Sequence, residues 1–201
     1  MNSSVVASGG IAPKQAWNAV LKAMPSEHIG DLKKWVGELS RRNTEGEVVR
    51  LTRAVELISK DFGVQSHEVA ILALTPDERS LRFLAPDSLR AVGQIPLSSA
   101  NSLAVRTVRE KRPEIINHFA VVPHASVFEG VPIVDDVRGD PIQKIMSAPI
   151  IFGDEVIGVV QVSRKGKTLA EAGPDFTHPQ LRELRTISEA LAPCIMLCSK
   201  E

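Results

Sequence analysis

The chain contains no tyrosine, and aromatic residues make up only 4% of it. Modules that stack nucleic-acid bases on an aromatic platform need such residues, so no nucleic-acid partner is expected. Neither sign of charge is in excess, with 24 Lys and Arg against 24 Asp and Glu. A globally basic face for polyanions is therefore not indicated, nor an acidic solvating tail. Cysteine is scarce: Cys194 and Cys198 are the only two, which excludes a disulfide framework. No stretch approaches the roughly 20 apolar residues of a membrane helix. Residues 1–12 show neither a basic n-region nor an apolar run of signal-peptide length. These absences point to a cytoplasmic protein in a reducing compartment, without a membrane partner.

What is present is apolar and patterned. Hydrophobic residues make up 43% of 201 positions, enough for the core of one domain with an extension. The Ser/Gly/Ala-rich residues 1–12 read as a disordered tail. Helical spacing in Trp17, Val20, Leu21 and Met24, and again in Ile29, Leu32, Val36 and Leu39, predicts a helical extension over 13–43. The main domain is expected over 44–201. It opens with a helix carrying Val48, Leu51, Val55, Ile58 and Phe62, with a Thr44–Glu47 capping box before it and Gly63 as its stop.

The period then changes. Residues 69–74 form a nearly continuous apolar run, as in a buried strand, and 81–85 read as its hairpin partner. Residues 94–97 predict a third strand. A helix follows, capped by Asn101 or Ser102, running to about Lys111 with Leu103, Ala104, Thr107 and Val108 inward. Residues 114–117 predict another strand. Residues 118–141 show no strong period, as a functional loop or a short helix would. Two strong strands, 145–152 and 156–163, flank the tight turn Gly153-Asp154-Glu155. A last helix starts near His178 or Pro179 and buries Leu181, Leu184, Ile187, Leu191, Ile195 and Cys198. The fold class is α+β: a central antiparallel sheet of about six strands with helices packed on it.

The second half carries a family pattern. Met146-Ser147-Ala148-Pro149-Ile150-Ile151, the hairpin turn, and Val156-Ile157-Gly158-Val159-Val160-Gln161-Val162 resemble the paired strands of GAF domains, and the element order over about 45–198 agrees. Gly158 suits a close approach by a neighbouring element, and Pro149 needs an edge or a bulge because it cannot donate to a ladder. Pro96-Leu97 with the following helix, and Phe128, Asp135-Asp136 and Gly139, are similar to the family's third strand and lid. The resemblance implies a GAF-like fold, a pocket between sheet and lid, and dimerisation through the terminal helices.

Departures narrow what it implies. Arg164-Lys165 stands where cyclic-nucleotide-binding members carry Asn-Lys; Phe176 matches, but Gln180-Leu181 replaces Asp-Glu. The lid holds no cysteine for a covalent bilin, and both cysteines lie on the last helix rather than where free-methionine-sulfoxide reductases need them.

Candidate ligand-binding residues follow from chemistry and place. Ser99, Asn101 and Ser102 precede a helix whose free amides suit an anionic group, although capping alone explains them. His118 and His124 flank the irregular loop and can hydrogen-bond a ligand or ligate iron; a solvated loop histidine is the plainer account. Phe128, Asp135, Asp136, Arg138 and Ala148 complete the pocket and lid set. Cys194 and Cys198, one helical turn apart, read as a redox pair, as half of a metal site that lacks its two further ligands, or as small hydrophobes continuing an apolar stripe. The basic pairs Lys33-Lys34 and Arg41-Arg42 are interleaved with Glu and read as a solvated helix face. No phosphate loop, dinucleotide fingerprint, nucleophile elbow, catalytic set or metal-ligand set is found, and no cofactor is named by the sequence. Three readings stay open: a regulatory small-molecule sensor acting through a homodimer or a protein partner, a scaffold with a self-filled pocket, and a GAF-type redox enzyme. The first, a non-enzyme, is the expectation.

Overall fold

The computed structural model describes residues 47–90, 93–121 and 140–198. The 1–12 tail, the 13–43 extension and the Thr44 cap lie outside the described residues. The element order is α1 (Glu47–Phe62), a 3-10 turn (Ser66–Glu68), β1 (Val69–Leu74), β2 (Ser80–Ala85), α2 (Asp87–Arg90), β3 (Gln94–Pro96), α3 (Leu103–Glu110), β4 (Glu114–Ile116), a 3-10 turn (Phe119–Val121), β5 (Ile142–Phe152), β6 (Glu155–Lys165) and α4 (His178–Cys198). The strands form one sheet in the order β3-β2-β1-β6-β5-β4, and every pairing is antiparallel.

Helix ends follow local chemistry. Gly63 adopts φ 60°, and the pair of bonds Val64 N–H to Ser59 O (2.9 Å) and Gly63 N–H to Lys60 O (3.3 Å) closes α1 as a Schellman motif. Ser102 caps α3 by accepting from the Val105 amide at 3.4 Å, and Lys111 ends it at φ 51°. Thr177 and Gln180 cap α4 reciprocally: the Thr177 amide donates to Gln180 Oε1 (3.0 Å), and the Gln180 amide to Thr177 Oγ1 (3.4 Å).

The sheet separates two layers. On one face α1 contributes Leu51, Val55, Ile58 and Phe62, and α4 contributes Leu184, Ile187, Leu191 and Ile195. They pack on Ile71 and Ala73 of β1, Met146, Ala148 and Ile150 of β5, and Val160 and Val162 of β6. The opposite face carries α3. There the apolar side chains form two separate clusters, one around Leu72, Leu81, Phe83, Val105 and Val159, the other joining Leu103, Phe119, Ile142 and Ile145.

Two sequence details have clear structural causes. Gly158 pairs with Ala73 of β1, and a Cβ built on it would fall onto the Leu72 carbonyl oxygen, closer than real Cβ atoms come. Pro149 sits on β5 past the reach of β4, which pairs only with residues 145–147, and a register shift follows at Ile150/Ile151. Both outer requirements of a strand proline, an open flank and a nearby bulge, are thus met. Three elements differ from the sequence reading. β5 begins at Ile142 rather than Ile145 because the polar Gln143 and Lys144 are buried with partners: Gln143 Nε2 donates to Gly166 O (2.8 Å) and Lys144 Nζ to Gly173 O (2.6 Å). The single turn α2 and the 3-10 turn Ser66–Glu68 are too short to show a period.

Candidate functional site

On the α3 face, Ser147 of β5 and Gln161 of β6 are direct cross-strand partners, and α3 lowers Thr107 onto them. Thr107, Ser147 and Gln161 are 1%, 0% and 2% exposed. Three hydrogen bonds join them in a line. Thr107 Oγ1 donates to Leu103 O at 2.9 Å, the usual back-bond of a helical threonine. With that proton given to Leu103 O, Thr107 accepts from Ser147 Oγ, which lies 2.7 Å away. Ser147, having donated, accepts from Gln161 Nε2 at 3.1 Å. Gln161 thus turns the nitrogen of its amide to Ser147 and its carbonyl oxygen away from it.

The other end has no partner. Gln161 Oε1 is buried and accepts no hydrogen bond. Among the described residues its second cross-strand neighbour is Ala70, and Ser163, two positions along β6, donates to Glu68 O at 3.0 Å. An unpaired buried acceptor costs about 1–3 kcal/mol, so its retention calls for a physical explanation.

The expected site residues are scattered. Ser99 lies in the turn after β3, its amide donating to Pro96 O at 2.9 Å; Asn101 is exposed; Ser102 is occupied as the α3 cap. His118 is exposed and close enough to Asp175 to act on its charge. Ala148 belongs to the core under α1 and α4, on the opposite side of the sheet from the relay. His124, Phe128, Asp135, Asp136 and Arg138 lie outside the described residues. Cys194 is buried in the α1/α4 core, and the side chain of Cys198 lies outside the description. Sequence reasoning placed Thr107 only as an inward residue and passed over Ser147 and Gln161. The available signal was a polar residue set between apolar neighbours in each of two central strands: Ser147 between Met146 and Ala148, and Gln161 between Val160 and Val162.

Arg164 and Phe176, noted as positions of a degenerate family motif, do meet. The guanidinium lies over the Phe176 ring, Nη2 donates to Phe62 O at 3.1 Å, and burial lowers its pKa from the ordinary arginine value. Beside it is a polar cavity of 330 Å³ lined by Gly63, Gln65, His67, Glu68, Lys165 and Glu171 among others. Its Glu68 carboxylate is already engaged, accepting from the Lys165 and Gln65 amides at 2.6 and 2.8 Å. Among the described residues no group of three or more His, Cys, Asp or Glu is placed to hold a metal, and no helix is long and apolar enough to cross a membrane.

The six-stranded antiparallel sheet with helices α1 and α4 on one face and α3 on the other has a counterpart among known families: the GAF domain pattern matches residues 48–196. The chain belongs to the GAF domain family. This GAF domain is similar in fold to that of the Acinetobacter phosphoenolpyruvate-protein phosphotransferase, at TM-score 0.61 and 15% identity, covering 88% of this chain and 97% of that one. The free methionine-R-sulfoxide reductase of Neisseria meningitidis, solved with its substrate, is similar at TM-score 0.56 and 12% identity over 95% of both chains. The GAF-B domain of DevS from Mycobacterium smegmatis gives TM-score 0.52 and 14% identity, covering 77% of this chain and 96% of that one. No curated protein matches in sequence. At these identities the likenesses establish the fold, and GAF domains are commonly sensor modules in signal transduction.

Proposed function

We propose that this GAF domain is a regulatory sensor, not an enzyme, which takes a small molecule on the α3 face of its sheet. It hands the change to a second copy or a protein partner through its helices. The observation that carries the reading is Gln161 Oε1, a buried acceptor without a partner at the end of a directed relay. The burial of Cys194 in the α1/α4 core supports a non-enzymatic role, because a redox thiol works from an accessible position. The apolar stripes of α1 and α4 are used within the domain, so a homodimer would use the outward sides of these helices.

A scaffold with a self-filled interior is the second reading, favoured by the near-zero exposure of Thr107, Ser147 and Gln161. Native mass spectrometry of the purified protein, before and after gentle desolvation, separates the two. A retained small mass that is lost in Gln161→Met supports sensing. A clean unliganded species from several expression hosts, in the native protein as in the variant, supports the scaffold.

A further inference from the structure

We infer that the molecule taken by this face is uncharged and presents an N–H or O–H to Gln161 Oε1. The inference rests on the sensor reading above and adds the chemical class of its ligand. The class follows from the orientation of the Gln161 amide, whose nitrogen is spent on Ser147 and whose oxygen has no partner. Leu103 O accepts from Thr107, Thr107 from Ser147, and Ser147 from Gln161, so each proton points away from Oε1 and the free end is a lone pair. An acceptor-only ligand, such as an ether, would set lone pair against lone pair there.

Charge narrows the class further. Beside the two apolar clusters, the buried polar side chains described on this face, Ser102, Thr107, Ser147 and Gln161, are uncharged. The arginines of α3 are committed elsewhere: Arg106 forms a two-bond pair with Glu114 at 2.9 and 3.0 Å, and Arg109 donates to Leu97 O. A carboxylate or phosphate brought to Gln161 would find no counter-charge among these groups. Burying a charge without one costs more than a single hydrogen bond recovers. What fits is a neutral donor with an apolar body, its donor on Oε1 and its body against the apolar clusters.

The test is a set of matched probe pairs titrated into the ¹⁵N-labelled protein: indole with 1-methylindole, phenol with anisole, and pyrrolidin-2-one with its N-methyl form. Amide shifts of Thr107, Val159 and Gln161, with the Gln161 side-chain resonances, report binding at the site. The donor member should bind about tenfold more tightly than its methylated twin, the usual worth of one buried hydrogen bond. Gln161→Met, of similar shape, should abolish that preference. Equal binding of both twins would overturn the donor class and leave a small-molecule site standing. Shifts at none of these residues with any probe would overturn both the class and the sensor reading.

Discussion

The guanidinium carbon of Arg164 lies 4.7 Å from the centre of the Phe176 ring. One side chain thereby connects three parts of the domain: β6, which carries it; the C-terminal end of α1, whose Phe62 carbonyl it caps; and the loop before α4. Asn117 holds the same loop from the other side, with Nδ2 to Phe176 O at 3.0 Å and Oδ1 from the Phe176 amide at 2.9 Å. A cation at a helix C-terminus is favoured by the helix dipole as well. Phe176→Ala should lower stability by about 3 kcal/mol in urea unfolding. A double-mutant cycle of Arg164→Gln with Phe176→Leu should show a coupling of about 1 kcal/mol. Strict additivity would remove the cation–ring contact from the account.

Gly158 is expected to tolerate no side chain. A methyl group there meets the Leu72 backbone oxygen, and backbone in a central strand cannot step aside cheaply. Gly158→Ala should cost about 3 kcal/mol. Gly153→Ala, in open space but at φ 64°, should cost about 1 kcal/mol through strain alone. Parallel thermal melts of the two variants test the order; equal losses would contradict it.

Lys144 and Asp175 give a pH prediction. Lys144 is almost wholly buried, and its ammonium lies 2.7 Å from the exposed Asp175 carboxylate. The hydrogen bond from Lys144, then the charges of Lys144 and His118, hold the Asp175 pKa below its ordinary 3.8. A carboxyl depressed on folding contributes stability that is fully present above its unfolded pKa and is lost as pH falls through the folded one. Native protein and Asp175→Asn should therefore differ by a constant amount above about pH 5 and converge below pH 3.8. Unfolding free energies measured across that range decide it. A gap that widens on acidification would reverse the sign and refute the assignment.

The relay predicts opposite effects for two bonded partners. Gln161→Met removes an unpaired buried acceptor and should raise the stability of the unliganded protein by about 1 kcal/mol. Ser147→Ala leaves the Gln161 amide group without its acceptor and should lower stability by about 2 kcal/mol. Loss of stability in both variants would mean that Oε1 is satisfied in solution.

Much of the architecture was legible because periodicity records burial. The α1 stripe, the β5–β6 hairpin, the α3 cap and the α4 stripe lie where the pattern of apolar residues and punctuating Gly, Ser and Pro placed them. The site was less legible. Thr107, Ser147 and Gln161 are distant in sequence, and only the register of β5 on β6 and the seating of α3 bring them together. The small Ala148 drew attention within its family-like strand, but adjacent strand residues face opposite ways, so its neighbour Ser147 holds the position on the α3 face. His118 shows the opposite error: its chemistry is apt, yet in the turn after β4 it is exposed beside Asp175.

The alternation that separates Ser147 from Ala148 extends through the three central strands. In β5 from Ile145 to Ala148 and in β6 from Val159 to Ser163, odd-numbered residues face α3 and even-numbered ones face α1 and α4; in β1 the parity is reversed. The two surfaces can therefore be rewritten independently, like the two sides of a page. Substitutions at one parity alter what the domain touches beneath α3, and those at the other alter how its helical layer is seated. A variant library split by parity along these strands would address the two layers separately within the same stretch of chain.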